Sequence, residues 1–283
     1  MSDFNNKDLI HIKEKRVEYL KFRALEKYNN KIEHLITLRH GGVSKGIYSS
    51  LNFRTVGNDD IKNVFKNLEI VSNILNVDKN SICKARQTHT DNILILDNNN
   101  KERFLFKNLS REEYDGYITN KSNIYSLVTT ADCNPVIIYD PILNIVSNIH
   151  SGWKGTLKNI SKKAAIIMHE NFNSNYNDMI VCIGPSIRSC CFTSKEKAFK
   201  KKFVELFQNE KDYIKKDNKR YYHFDLSYII TSSLLELGVK KENIFDSNIC
   251  TCCNKEDFFS YRNANNNKED DYGTFATIVG LKK

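Results

Sequence analysis

Two histidines and a cysteine are the side chains of this chain best equipped for chemistry: His89 in QTHT (87–90), Cys133 in ADC (131–133) and His150 in IHSGWKG (149–155). Two imidazoles and a thiolate suit Zn²⁺, and three protein ligands leave one coordination position open, the pattern of a catalytic metal rather than a closed structural one. The three are scattered, unlike a CxxC or HExxH motif, and spacing alone also fits a buried cysteine with two ordinary histidines. Their flanks favour a site. Asp132, Ser151, Gly152 and Trp153 bring polar and small groups into apolar surroundings, as in a lined pocket. A metal-free alternative uses the same side chains, with Cys133 as a nucleophile activated by His150 or His89 in a cysteine hydrolase. Alkylation would inactivate such a hydrolase, whereas chelation would inactivate a zinc enzyme.

These residues need rigid elements to hold them. Ile93 to Leu96, Tyr125 to Thr129, Pro135 to Tyr139, Ile145 to Ile149 and Met179 to Ile183 are short apolar or β-branched runs between turn residues. Their continuous apolarity predicts strands buried on both faces. His89 then precedes a strand, Cys133 lies between two and His150 ends one. Ile61, Val64, Phe65, Leu68, Val71 and Leu75 recur at helical spacing, with Asn58 or Asp59 as N-cap. Leu157, Ile160, Ala164, Ile167 and Met168 predict a helix after Trp153, and Asp225 and Gly238 bracket another. Arg39 to Ser50 reads as a functional loop and Asn263 to Lys268 as a plain one. Strands and helices mix without a βαβ rhythm, and no Walker or dinucleotide fingerprint is present. The expected fold is α/β (α+β mixed), a single domain of mixed β-sheets with peripheral helices over residues 35–283, after a charged, irregular or strand-containing lead-in over 1–34.

The chain has 283 residues, 40% of them hydrophobic, enough for a substantial core. Its net charge of +9 comes mostly from dispersed lysines. That distribution reads as a solvated surface, compatible with a phosphate-bearing substrate but not a nucleic-acid patch. No apolar run suits a signal peptide or approaches the ~20 residues of a membrane span. The expectation is a cytoplasmic protein with no membrane partner, whose eight cysteines are thiols, ligands or nucleophiles rather than disulfides.

RHGGVSKGIYSSLNF, QTHT, TTADCNPVIIYD, IHSGWKGT, CIGPSIRSCCF, HFDL and FFSYRN occur, in this order, across Thr37 to Leu281. In these motifs the chain resembles the laccase-domain family, also called multicopper polyphenol oxidase-like proteins or purine nucleoside phosphorylases. The resemblance implies a single α/β domain, a zinc site that falls on His89, Cys133 and His150, and purine nucleoside and phosphate as substrates. It implies phosphorolysis of adenosine, inosine, guanosine and methylthioadenosine, and deamination of adenosine. Editing of peptidoglycan precursors and copper-dependent phenol oxidation are the alternatives it carries; a binding protein without turnover is a third. Copper oxidation fits poorly, since a multicopper cluster needs many more ligands than this trio and the chain has seven histidines. Cu²⁺ nevertheless competes for such ligands by intrinsic affinity. The chain departs from the family pattern at Ser151, Lys154, Thr193, Asn263 and Thr274.

Deamination needs a proton-shuttling carboxylate, for which Asp132 and Asp115 are candidates beside Cys133 in the catalytic centre, each with a structural role as the rival reading. Phosphorolysis needs an anion pocket. Arg39 and Lys154, with the amides around Gly41-Gly42 or Gly152, are expected there, a surface salt bridge being the rival reading for Arg39. Asn52 is a candidate for ribose or base, with fixing its turn as an equal rival reading, and Trp153 for stacking on the purine, with core packing as its rival. Cys190, Cys191, Cys250, Cys252 and Cys253 read as buried free thiols, although a second thiolate site is open to them.

Overall fold

The apolar runs of this chain are continuous, and a computed structural model, describing residues 2–283, buries them on both sides. Two six-stranded mixed sheets form the frame. The first has the order Leu9–Glu14, Val17–Phe22, Ile32–Thr37, Phe275–Leu281, Tyr125–Thr130, Ile82–Cys83, antiparallel except for the last pair. The second runs Ile244–Asp246, Ile180–Ile183, Asn134–Asp140, Ile145–Ser151, Gly116–Thr119, Ile93–Ile95, with parallel pairs only at its two edges. A small sheet of Thr193–Ser194, Tyr222–Phe224 and Ile214–Lys216 stands apart.

The two large sheets pack face to face. Leu20, Phe22, Ile36, Phe275 and Val279 of the first meet Ile137, Tyr139, Val146 and Cys182 of the second in one core. Each such side chain contributes about 1.5–3 kcal/mol on burial. Asn148 is the polar tie across this layer, its amide donating to the carbonyls of Ser126 and Thr277 at 3.1 and 3.0 Å. The outer face of the first sheet is covered by the helix Ile61–Leu75, through Val64, Leu68, Val71 and Leu75. The outer face of the second is covered by Ile160–Phe172 and Leu226–Leu235. The result is a helix–sheet–sheet–helix sandwich, the mixed α/β domain the patterning predicts.

Several local expectations shift. Residues 9–37 supply three strands of the first sheet, and Leu9, Leu20, Phe22 and Leu25 join its core, so the boundary expected at residue 34 falls inside the strand Ile32–Thr37. The alternation of charged and apolar residues there marks an edge hairpin, which the charge count disguises. The helix expected from Asp59 starts at Ile61, and Asp60 caps it by accepting from the Lys62 amide. Asp59 is engaged elsewhere, bonded to Ser44 and Asn52 at 2.6 and 2.8 Å. The helix expected after Trp153 is two, Trp153–Leu157 and Ile160–Phe172, broken by Asn159 at φ 55°. The helix Tyr261–Asn266 takes in the first four residues of the expected Asn263–Lys268 loop, because the Ser260 side chain accepts from the Asn263 amide and Ala264 is buried.

Candidate metal centre

Twice the chain crosses from the first sheet to the second, and both crossings deliver a candidate ligand. Cys133 sits between Tyr125–Thr130 and Asn134–Asp140; His89 lies on the loop from Ile82–Cys83 to Ile93–Ile95. Register supplies the third: Asn134–Asp140 pairs with Ile145–Ser151 so that Pro135, two residues after Cys133, faces His150. The ligand atoms of His89, Cys133 and His150 lie within 4.8 Å of one another. Cys133 Sγ is 3.7 Å from His89 Nε2. His150 is buried; the other two reach the edge of a cleft.

Both crossings are strained, with His89 at φ 62° and Asp132 at φ 93°. Carboxylates hold them. Asp115, fully buried, accepts from the amides of His89 and Thr90 at 3.1 and 2.6 Å and from the Thr90 hydroxyl at 2.7 Å. Its Oδ1 lies 2.7 Å from His150 Nδ1. That contact orients the ring and leaves Nε2 for the centre. Burial acts to raise the Asp115 pKa; the His150 hydrogen bond and charge, with Thr90, outweigh it and hold it at about 2. Asp132 accepts from the Thr251 hydroxyl at 2.6 Å and the Arg262 amide at 2.7 Å, and burial pushes its pKa up. Gln87 exchanges hydrogen bonds with Thr129 at 2.9 Å, tying the His89 loop to the first sheet.

The donor set fits a metal. Burial alone would raise the Cys133 thiol, but His150 and His89 outweigh it and bring it down to about 6. Against burial, Cys133 and Asp115 raise His150 to about 9. A thiolate stands ready beside a His150 that must give up its proton before it can hold an ion. Gly152 keeps the space clear: a Cβ there would lie 2.7 Å from Cys133 Sγ and 2.8 Å from His89 Cδ2.

The trio opens into a cleft of about 1160 Å³ lined also by Asp132, Trp153 and Lys154. Trp153 packs edge-on against Phe199, with the Lys154 and Lys202 ammoniums 5.6 and 5.3 Å from its ring. Arg39 and Asn52 do not join this wall. The Arg39 guanidinium donates to the carbonyls of Ser49 and Lys255 at 2.9 Å and covers Phe259, so it clamps its own loop. Asn52 is fully buried, accepting from the amides of Arg54 and Thr274. The cations that do line the cleft include Arg54, Lys84, Arg86 and Arg262, to which the sequence reading assigns no role. Burial drives Lys84 down to about 8. Arg262 lies within the FFSYRN motif and Arg54 directly follows RHGGVSKGIYSSLNF, motifs that flag the region but not the direction of a side chain. Thr193 and Thr274 line the cleft, whereas Asn263 does not.

Residues 33–282 match the family model described as multi-copper polyphenol oxidoreductase laccase. A purine nucleoside phosphorylase of Bacteroides thetaiotaomicron is 29% identical over 255 residues, 88% of this chain and 92% of that protein. An adenosine deaminase of an unknown prokaryotic organism is 28% identical over 239 residues, 82% and 88%. The crystal structure of the hypothetical protein YfiH of Bacillus licheniformis superposes with a TM-score of 0.87 at 27% identity, covering 98% of this chain and all of that one. With nearly its whole length matched and its fold shared, the chain belongs to the multi-copper polyphenol oxidoreductase laccase family.

Proposed function

We propose that this protein is a zinc-dependent purine nucleoside phosphorylase that also deaminates adenosine. The observation that carries this reading is the convergence of His89, Cys133 and His150 on a cleft lined by cations. Relatives named purine nucleoside phosphorylase and adenosine deaminase support it. The cleft is large enough for a nucleoside with phosphate. Its buried Thr88, Thr130 and Thr274 hydroxyl oxygens have no protein partner, so a polar ligand would satisfy them.

His89, Cys133 and His150 would hold the ion. Zn²⁺ there supplies Lewis acidity and lowers the pKa of coordinated water. Asp115 keeps His150 in one tautomer and stays ionised, which makes it a positioning residue rather than a proton shuttle. Arg54, Lys84, Arg86, Lys154 and Arg262 favour a phosphate dianion, and Lys84, near neutrality, can exchange a proton. Trp153 and Tyr272 offer faces for a purine. The family description names copper, but the other five histidines pair elsewhere: His11 with Glu18, His34 with the Phe22 amide, His40 with Asp257, His169 with Ser174 and His223 with Ser189. Among the described residues the trio has no further histidine to extend it into a multicopper cluster.

The test supplies adenosine, inosine, guanosine and methylthioadenosine with phosphate to zinc-loaded protein and assays free base, sugar phosphate and ammonia. Base and sugar phosphate together support the reading. Zinc bound with no product from any nucleoside would overturn it.

A further inference from the structure

On the far side of the Asp132 loop four thiols meet. The sulfur atoms of Cys190, Cys191, Cys250 and Cys253 all lie within 4.8 Å of one another. Cys253 Sγ is 3.6 Å from that of Cys190 and 3.4 Å from that of Cys191. With Zn–S near 2.3 Å, the edges of a four-sulfur tetrahedron are about 3.8 Å. Cys250 and Cys253 stand in C-x-x-C spacing on a run of tight turns, with Asn254 closing back on the Cys250 carbonyl through its amide at 3.1 Å and its side chain at 2.8 Å. Cys250 is buried while Cys190 and Cys253 are exposed, so an ion can reach the cluster from solvent.

We propose that Cys190, Cys191, Cys250 and Cys253 form a second, structural zinc site, closed by four thiolates, that clasps one wall of the cleft. On binding, four S–H protons leave to solvent as four S–Zn bonds form. The resulting net charge of −2 lies close to the Arg262 guanidinium, which donates to the Cys191 carbonyl at 2.5 Å. The thiolate-only donor set suits zinc, and no open position remains for chemistry. The clasp joins two distant segments. Ser186 and Thr251 already bond across them, and the Thr251 hydroxyl and Arg262 amide hold Asp132 beside Cys133. Phe192 and Arg262, which flank the cluster in sequence, line the cleft. An ion here fixes that wall without touching substrate.

The test uses the full-length Cys133→Ser variant, which disables the first site, purified with reductant, stripped and titrated with Co²⁺ alone. One equivalent should bind with the intense thiolate-to-cobalt charge transfer of a four-sulfur tetrahedral site. A further Cys253→Ser change should abolish that signal, and Cys252→Ser should leave it. If the Cys253 variant does not fold, zinc release from Cys133→Ser by a mercurial reagent decides: four thiols titrated per ion supports the site. A folded Cys133→Ser protein that binds no cobalt, or that keeps its zinc with these four thiols alkylated, overturns the proposal. So does recovery of these cysteines as disulfides from reductant-treated protein.

Discussion

At the residue scale the centre rests on a few atoms whose replacement has separable consequences. Cys133→Ser is expected to lose the ion of this site and the nucleoside activity together; metal analysis showing full retention at this site would break the assignment. Gly152→Ala places a methyl group against Cys133 Sγ and the His89 ring. Zinc affinity should fall at least tenfold while the thermal midpoint stays within a few degrees, because the strain falls on the ligands and not on the sheets. Asp115→Asn removes the charge that fixes His150, and affinity should drop about 10–100-fold. The pH dependence follows from the free protein. His150 must lose a proton held up to about 9, and Cys133 must be ionised above about 6. Zinc affinity should therefore climb by about tenfold per pH unit between those values and fall more steeply below 6. A flat profile from calorimetric titration would contradict that proton count.

At the scale of elements, the ligands meet because of register and crossing. A shift of one residue between Asn134–Asp140 and Ile145–Ser151 would turn His150 to the opposite face. The periodicity that predicts the helix from Ile61 comes from its apolar stripe, which the structure buries, but its first residue is set by which aspartate is free to cap. Asp225 illustrates a cap legible in advance. Its side chain accepts from the Tyr228 amide at the start of Leu226–Leu235, the helix that covers the second sheet. Asp225→Ala should lower the unfolding free energy by about 1 kcal/mol in urea titrations and leave zinc binding intact. Asn159 is the opposite case. Asparagine tolerates the left-handed region, so the chain breaks its helix there, and nothing in the apolar spacing announces it.

At the scale of the whole molecule, burial in the sandwich controls acid stability. His34 is fully buried in the strand Ile32–Thr37, and its Nε2 accepts from the Phe22 amide at 2.8 Å. Burial, with Lys21 and Lys282 nearby, drives its pKa from 6.5 to about 3. Between those values the unfolded chain holds a proton that the folded one does not. This contribution to stability is therefore complete above 6.5 and is lost as pH falls toward 3, by about 1.4 kcal/mol per unit. His34→Gln keeps an acceptor for Phe22 and should flatten the loss measured between pH 6.5 and 4; an unchanged slope would exclude His34 as its source. The same scale separates what could be read from the chain alone. Strand runs, the Ile61 helix and the ligand types of His89, Cys133 and His150 depend on local composition and motif order, which survive in one dimension. Arg39 and Asn52 carry suitable chemistry on a suitable loop, yet they clamp that loop, while Arg54, Lys84 and Arg262 face the cleft. Four cysteines from two segments become neighbours only when those segments pair. Sequence determined which groups exist and which elements carry them. Only the tertiary structure decided which groups share a cavity, because side-chain direction and the approach of distant segments arise from sheet register and from the two crossings between sheets.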